Sequence, residues 1–498
     1  MPTCLHNLTI RRTITYFLPI HRQRTMYHHY ITLVVLAFVT AYTATSEVWR
    51  VGPTQQYKVP SAVASLVQDG DEVWIDPAEY IGDVAVWRAH RLKLYRTPMA
   101  AEGSFAILRA DGKAAEAKAI WVIKGNDCIV SGIDFRECRV PDRNGAGIRV
   151  EGTNITVSRC AFRKNQDGIL AGNNLNSTIL VEYSEFEQSG AGDGLSHAIY
   201  INHVKAFIFR FNYSHTTEVG HECKSRAHFN YIAYNRLSNE DGRGSRNLDL
   251  PNGGTSVVIG NIFHKGANAE NGNVIGYGLE GLSDTVDNSL YLSHNTVVSS
   301  RSLSTFLRMD SSTSRLHAAN NVFVGNMTVL IGSAKSIDTL NNLAFARPES
   351  VGFINPSAYD YRITQSSILR DKAVESITAT STLENYRELP LTPVLVYVHP
   401  CQDRIRLGSS DVGAYEYDAL TSVDDAHEQP LNLYPNPAAD IVSIADGVYD
   451  ETSSTQVIDI TGRSVIDTRL SRYSVAHLPA GVYTVIRGTT SQMFVVQR

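Results

Sequence analysis

A short pattern of apolar and small residues recurs through the middle of the chain. The pattern has six positions. The first and last are apolar, the fourth is Asn or another small residue, and the other three vary. The reference (fourth) positions are Ile133, Cys160, Ser184, Asn212, Asn235, Asn261, Asn295, Asn321 and Asn342, spaced 21 to 34 residues apart. Repeats of this length, rich in strand and turn residues and without an amphipathic helix, predict one coil of a parallel β-helix each.

The amide side chains follow the same period. Of the 30 Asn residues in the chain, 25 lie between Asn126 and Asn342. Stacked coils place equivalent residues about 4.8 Å apart, so successive Asn at the reference position are expected to form an inward-facing amide ladder in a turn. The alternative, a β-sandwich with Asn-rich hairpins, would show turn signals about every 8 to 12 residues. The sequence lacks that spacing, so an all-β, right-handed parallel β-helix is the predicted fold.

The flanking segments predict the domain boundaries. Residues 31–44 are mostly apolar, follow basic residues and end in small ones, as in a signal peptide. This run is shorter than the roughly 20 residues of a membrane-spanning helix. We predict a leader in residues 1–45, with Met26 as an alternative start, and a β-helix in residues 46–418. A linker in 419–430 and a small β-sandwich in 431–498 follow, and residues 59–80 predict a short capping helix that begins near Ser61, then a strand.

Composition narrows the function classes. Hydrophobic residues make up 43% of the 498 and charged residues 19%, which disfavours disorder and coiled coil. The 45 Lys and Arg against 50 Asp and Glu leave a net charge of -5, so no overall basic footprint for nucleic acid is present. Loss of the leader leaves five cysteines without CxxC spacing, which predicts neither a disulfide framework nor a zinc site. We expect a monomer with no transmembrane segment.

Polar side chains cluster on one predicted face of the β-helix. In the strand that follows each reference position, the alternates of the apolar residues should point outward into a shared groove. These are Arg149, Tyr200, Glu222, Lys224, Asn247, Asp249 and Arg308. The densest window, residues 214–252, adds the candidates His215, His221, Arg226, Arg243, Arg246 and Asn252, and His197 precedes Tyr200.

Several segments resemble known families. Residues 59–80, 358–372 (AYDYRITQSSILRDK) and 408–417 (GSSDVGAYEY) resemble the opening and closing segments of secreted pectate-lyase-like β-helix proteins. The dipeptide Lys224-Ser225 is similar to the motif that supplies the base in β-helical polysaccharide lyases of the alginate lyase and chondroitinase B type. Pro251 stands where those enzymes carry an Arg acid, and their paired calcium ligands are not reproduced. The stretch GHECKSR, residues 220–226, resembles a group of secreted bacterial β-helix proteins.

The last segment resembles a secretion signal of a different kind. LYPNPAADIVSI, VIDITGRSVI, LPAGVYTV and the final MFVVQR are similar to the C-terminal sorting domain of type IX secretion substrates. That resemblance implies a small β-sandwich and the type IX secretion machinery as a partner. A carbohydrate-binding sandwich is the alternative, but its tyrosines form no evident platform.

Together these features predict a secreted lyase that cleaves an acidic polysaccharide by β-elimination. The reaction needs neutralisation of a uronate carboxylate, a base for the C5 proton and an acid for the leaving oxygen. Lys224 is the expected base, since the like charge of Arg226 favours its neutral amine. Arg226, or a cation such as Ca²⁺ held by Glu222, would neutralise the carboxylate.

The acid and the reaction class stay open in the sequence. Tyr200, His221 or His197 would be the acid. The expected substrate contacts are Arg149, His215, Arg243, Arg246, Asp249, Asn252 and Arg308. Hydrolysis by paired carboxylates on the same fold, and a non-catalytic adhesin or glycan-binding scaffold, are the alternatives.

Overall fold

The computed structural model describes residues 46–98, 100–101, 103–381, 387–406, 411–418, 433–434, 438–444, 454–459, 463–487 and 490–496. The predicted leader, residues 1–45, and the predicted linker, residues 419–430, lie outside this set. No helix in the described ranges has the length and apolar character needed to cross a membrane.

Three long parallel sheets form the solenoid, and each full coil contributes one strand to each sheet. Sheet I contains the strands Val48–Val51, Glu72–Ile75, Lys93–Arg96, Cys128–Ser131, Ile155–Ser158, Asn174–Glu182, Val204–Arg210, Phe229–Ala233, Thr255–Ile259, Ser289–Ser293, Thr313–Ala319 and Ala334–Leu340. Sheet II contains Glu79–Ile81, Ala106–Arg109, Ile133–Arg136, Ala161–Arg163, Glu185–Glu187, Tyr213–His215, Arg236–Ser238, Ile262–Lys265, Thr296–Ser299, Val322–Val324 and Leu343–Phe345. Sheet III contains Ala85–Trp87, Ala119–Ile123, Ala146–Val150, Asp167–Ala171, Ile199–Ile201, Cys223–Ser225, Leu248–Leu250, Asn273–Tyr277, Ser304–Met309 and Met327–Ile331. The predicted right-handed parallel β-helix is confirmed.

The amide ladder occupies the turn from sheet I to sheet II, as the period predicts. The backbone N–H of Asn235 donates to Oδ1 of Asn261 (2.9 Å), and that of Asn261 donates to Oδ1 of Asn295 (3.0 Å). The Nδ2 of Asn261 also donates to the Ile232 carbonyl (2.8 Å). The same pattern runs from Asn212 to Asn342. Each amide therefore satisfies buried backbone groups of its own turn and of its neighbours.

Apolar side chains fill the interior in stacks that follow the axis. Phe135, Phe162 and Phe186 stack at centroid distances of 5.2 and 4.7 Å, and all three are fully buried. Such offset ring stacking stabilises the core beyond the burial of area alone. The cysteines Cys128, Cys138, Cys160, Cys223 and Cys401 are free thiols.

The N-terminal cap is shorter than the helix that the sequence predicts. Residues 59–80 contain a single 3-10 turn, Pro60–Ala62, rather than an α-helix. Both the backbone N–H and the hydroxyl of Ser61 donate to the Asp83 carboxylate, which ties this turn to the next part of the chain. Val63 and Val67 beyond it are buried in the core, so the turn still covers the first coil.

The coils stop at Phe345, and the chain then folds back along the solenoid. The 3-10 turns Pro348–Ser350 and Pro356–Ala358 belong to this segment. Its antiparallel pairs are Phe353–Asn355 with Asp360–Ile363, Thr378–Thr380 with Glu388–Pro390, and Leu395–Val398 with Gln402–Ile405. Hydrogen bonds from Ser293 Oγ to the Leu391 carbonyl (2.7 Å) and from Tyr183 OH to Asp403 (3.1 Å) attach it to the coils.

The last segment forms two small antiparallel sheets. Their strands are Leu433–Tyr434, Ile441–Ile444 and Arg472–Ser474 in one, and Thr455–Asp459, Ser464–Thr468, Gly481–Arg487 and Thr490–Val496 in the other. Val442, Val457, Val485 and other buried apolar residues form its own core. This architecture agrees with the predicted small β-sandwich.

We expect the substitution Asn261→Ala to lower the free energy of unfolding by about 3 kcal/mol, since it orphans the buried N–H of Asn235 and removes the amide that binds Ile232. Chemical denaturation of the full chain measures the change. Asn268→Ala is the matched control, because Asn268 is an exposed turn residue and should lose less than about 1 kcal/mol. Equal losses in the two variants would contradict the role assigned to the ladder.

Candidate active site

The outward positions of sheet III form one column along the solenoid. Parallel pairing sets in register Arg149, Leu170, Tyr200, Lys224, Asp249, Gly276 and Arg308. Arg149 lies two coils from Tyr200 and Arg308 lies two coils from Asp249, and each is three coils from Lys224. Neighbours in such a column are only about 4.8 Å apart, so their side chains can contact one ligand.

A second row of side chains lies where the chain enters sheet III. Oδ1 of Asp167 accepts the backbone N–H of His197 (2.8 Å), and Nδ1 of His197 accepts that of His221 (3.1 Å). Nδ1 of His221 in turn accepts the N–H of Arg246 (3.1 Å). The two imidazoles stack with centroids 4.7 Å apart and planes within 6°. Because each Nδ1 accepts a hydrogen bond, the proton of each neutral ring resides on Nε2.

Burial keeps both of these imidazoles neutral. It lowers the pKa of His197 to about 3, with the charge of Lys224 adding to the effect. Burial also lowers the pKa of His221 well below 6.5, followed by the effects of His197 and Arg246. Neither ring is an imidazolium near neutral pH, and each is engaged in joining coils. Of the three acids that the sequence offers, Tyr200 is the one that is not buried.

The centre of the column is a cluster of two cations, a phenol and a carboxylate. Nζ of Lys224 donates to Oε1 of Glu280 (2.9 Å), and a guanidinium nitrogen of Arg226 donates to the other oxygen of that carboxylate. Nε of Arg226 donates to the Tyr200 hydroxyl (2.9 Å), and its Nη1 donates to Oδ1 of Asn252 (2.5 Å). Lys224 and Arg226 therefore hold one carboxylate between them, beside the phenol.

Glu280 is not among the site residues predicted from the sequence. This residue lies on the loop after the sheet III strand Asn273–Tyr277, and its side chain is 45% exposed. Partial burial alone would raise its pKa, but hydrogen bonds from Lys224 and Arg226 outweigh that effect and lower the pKa below its usual 4.5. The sequence signal is a Glu between two glycines, Gly278 and Gly281, which does not indicate its partners by itself.

Asp249 is the buried carboxylate next to the cluster. It is fully buried, and its Oδ1 accepts from Nη1 of Arg246 (3.1 Å). Oδ2 lies 3.7 Å from Nζ of Lys224 and 3.4 Å from Nε2 of His221, and it has no hydrogen-bond partner among the described residues. Burial raises the pKa of Asp249, although Arg246 and Lys224 oppose the shift. Glycine at position 276 leaves space for the Arg246 side chain, because a Cβ there would lie 2.7 Å from Cδ of Arg246.

Glu222 does not face the groove, contrary to the prediction. Its carboxylate is fully buried and accepts hydrogen bonds from Oγ1 of Thr217 (2.6 Å), Oγ of Ser214 (3.0 Å) and Nδ2 of Asn239 (3.0 Å). Burial raises its pKa despite these bonds. This donor set does not fit the predicted Ca²⁺ site, because the carboxylate oxygens are already used by protein donors. Within the described part of the chain, no three His, Cys, Asp or Glu side chains are grouped to hold a metal.

Three further predicted groove residues lie elsewhere. His215 belongs to sheet II, where its Nε2 lies 3.4 Å from Glu185. Arg243 is exposed in a turn and pairs with Glu218 and Glu270. Asn247 points inward, and its Nδ2 donates to two backbone carbonyls. The alternation of inward and outward side chains does not extend to Asn247, because the strand begins only at Leu248.

Comparison with known proteins identifies the last segment. Residues 432–497 match the family described as the secretion system C-terminal sorting domain. The chain is therefore a type IX secretion substrate, which is secreted or attached to the cell surface. No curated protein sequence matches the chain significantly.

Two solved structures are similar in fold. Pectate lyase Pel9A is 12% identical with a TM-score of 0.47, over 75% of this chain and 97% of that one. The PL6 family alginate lyase AlyGC is 12% identical with a TM-score of 0.24, over 79% of this chain and 60% of that one. Likenesses this distant assign no activity, which has to come from the geometry of the site itself.

The buried histidine row predicts how stability changes with pH. The pKa of His197 is about 3 in the folded chain and near its ordinary 6.5 when unfolded, so the unfolded chain binds more protons between these values. The stability from neutral His197 is full above pH 6.5 and is lost as pH falls toward 3, by at most about 1.4 kcal/mol per pH unit. His197→Asn keeps an acceptor for the His221 N–H and should reduce this slope. Denaturation at pH 7, 6 and 5 measures it, and an unchanged slope would contradict the neutral ring.

Proposed function

We propose that this protein is a polysaccharide lyase that cleaves a uronate-containing glycan by β-elimination. The observation that carries the proposal is the carboxylate held jointly by Lys224 and Arg226 beside the Tyr200 phenol. A cation pair that binds the carboxylate of Glu280 has the chemistry to bind the carboxylate of a uronate. The position of the cluster on the outward face of sheet III suits a long extracellular glycan, in keeping with a secreted or surface-attached protein.

Arg226 neutralises the substrate carboxylate in this mechanism. A guanidinium presents parallel donors to a carboxylate, and its charge stabilises the enolate-like anion that forms when the C5 proton is removed. Hydrogen bonds to Tyr200 and Asn252 fix the orientation of Arg226, so the group does not have to reorganise during the reaction.

Lys224 removes the C5 proton and Tyr200 protonates the leaving oxygen. The C5–H electron pair forms the C4=C5 double bond while the C4–O bond breaks, and the departing oxygen takes the phenol proton. Lys224 then carries one extra proton and Tyr200 lacks one. Transfer of a proton from the Lys224 ammonium to the Tyr200 phenolate through solvent restores both groups.

The charges around Lys224 support its use as a base once the uronate is bound. The amine of Lys224 donates to Glu280, 2.9 Å away. When a substrate carboxylate on Arg226 replaces Glu280, that counter-charge leaves Nζ. The remaining anion, Asp249, is shared with Arg246. The Lys224 amine then no longer donates to Glu280 and can approach the C5 proton.

A second candidate, glycoside hydrolysis, rests on one specific observation. Asp249 and Glu280 both lie within 4 Å of Nζ of Lys224, and their pKa values shift in opposite directions, raised for Asp249 and lowered for Glu280. A carboxyl pair with separated pKa values is what an acid and a base or nucleophile need. Asp249 is fully buried, however, which keeps it from a glycosidic oxygen and makes elimination the better proposal.

Incubation of the full-length protein with polygalacturonate, alginate, glucuronan and chondroitin tests the proposal. We expect ultraviolet absorbance from unsaturated ends with at least one polymer. Lys224→Ala and Tyr200→Phe should each lower kcat by about 100-fold or more, since each removes one proton-transfer group. Lys205→Ala is the matched control, because Lys205 is an exposed lysine on sheet I.

Other outcomes would favour the alternatives. New reducing ends without ultraviolet absorbance, lost in Asp249→Asn, would favour hydrolysis. Glycan binding with neither product would favour a non-catalytic binding scaffold. Full-rate formation of unsaturated product by Lys224→Ala would exclude Lys224 as the base.

A further inference from the structure

We propose that Glu280 is a built-in substitute for the substrate carboxylate, so that it closes the site to neutral glycans until a uronate displaces it. The inference rests on the proposed function insofar as it concerns the same subsite. It adds a specificity-determining residue that takes no part in the elimination.

The Glu280 carboxylate lies where the carboxylate of a bound ligand would lie. Its two oxygens are bound by two different cations, Lys224 and Arg226, whose side chains are only 10% and 15% exposed. The glutamate side chain is itself 45% exposed. The cations are therefore built into the wall of the solenoid, while the anion reaches them from the solvent side. A ligand carboxylate that approaches from solvent would meet the same donors, Lys224 and Arg226.

The backbone of the loop is fixed independently of the Glu280 carboxylate. The N–H of Glu280 donates to the Pro251 carbonyl (2.9 Å), and Nδ2 of Asn252 donates to the Gly281 carbonyl (2.8 Å). The side chain of Leu282 packs close to Gly253 and Gly278, where a Cβ would lie 2.6 and 2.5 Å from Cδ2 of Leu282. Release of the carboxylate thus needs only a rotation of the Glu280 side chain, and the loop can stay in place.

Exchange of one carboxylate for another explains the selectivity. When a uronate takes the place of Glu280, its carboxylate pairs with Arg226, which offsets part of the cost of separating the original ion pairs. A neutral sugar offers only hydroxyl groups, and its entry would leave Arg226, whose side chain is only 15% exposed, without an anionic partner, while Lys224 keeps only the shared Asp249. Such uncompensated charges are strongly unfavourable. This latch, the Glu280 carboxylate bound by Lys224 and Arg226, therefore lowers the affinity for every ligand by the same factor, and only a carboxylate recovers an ion pair with Arg226.

The test is calorimetric binding of monomeric galacturonate and galactose to the full-length protein. Neither sugar has a glycosidic bond to cleave, so the readout does not depend on turnover. If the latch is closed in about nine of ten molecules, Glu280→Gln should bind galacturonate about tenfold more tightly than the wild type. Glu280→Ala, which removes the side chain, should shift affinity in the same direction. Galactose should bind weakly to all proteins.

Glu270→Gln is the matched control. Glu270 is also 45% exposed and also paired with an arginine, Arg243, but it lies outside the cluster. Its galacturonate affinity should equal that of the wild type. If both Glu280 variants bind galacturonate no more tightly than the wild type, the proposed role of Glu280 is wrong. The absence of binding in all the proteins would also contradict it.

The result is separable from the test of the lyase reaction. Tighter binding in the Glu280 variants without any unsaturated product from polymers would keep the carboxylate subsite and reject the elimination. Product formation by the wild type without tighter binding in the Glu280 variants would keep the elimination and reject the latch.

Discussion

The structure depends on side chains that satisfy buried backbone N–H groups at two corners of each coil. At the turn from sheet I to sheet II, the side chains of the Asn ladder from Asn212 to Asn342 accept these N–H groups. At the entry to sheet III, the acceptors are the side chains of Asp167, His197 and His221, each of which binds an N–H of the following coil. A buried N–H without a partner costs roughly 1 to 3 kcal/mol, so a shift of one coil against the next would be penalised at both corners. These bonds fix the register of the coils.

That register creates the site. Tyr200 and Lys224 are 24 residues apart in sequence yet are paired neighbours in sheet III, and Lys224 pairs with Asp249 on the next coil. No single strand carries more than a part of the cluster. The histidine row lies beside the column and joins the same coils, so the stability of the scaffold and the geometry of the cluster have a common origin.

Charge at the site is local and balanced. The overall charge of -5 gives no sign of an anion-binding surface. Lys224, Arg226 and Arg246 nevertheless line one face, and each is paired with a carboxylate, Glu280 or Asp249. The window that contains the three cations is visible in the sequence. The pairing of Lys224 and Arg226 with Glu280, which lies 54 residues beyond Arg226, is not.

The sequence by itself determined the repeat, the inward Asn ladder, the strand face that carries Tyr200, Lys224 and Asp249, and the C-terminal sorting domain. These follow from periodicity and local motifs, since a solenoid converts spacing along the chain directly into stacking in space. Only the tertiary structure decided that Glu222 and Asn247 point inward, that His197 and His221 join coils, and that Glu280 occupies the cation pair. The physical reason is that loops between coils vary in length and path, and burial, which sets the pKa and the partners of each group, is a property of the folded chain.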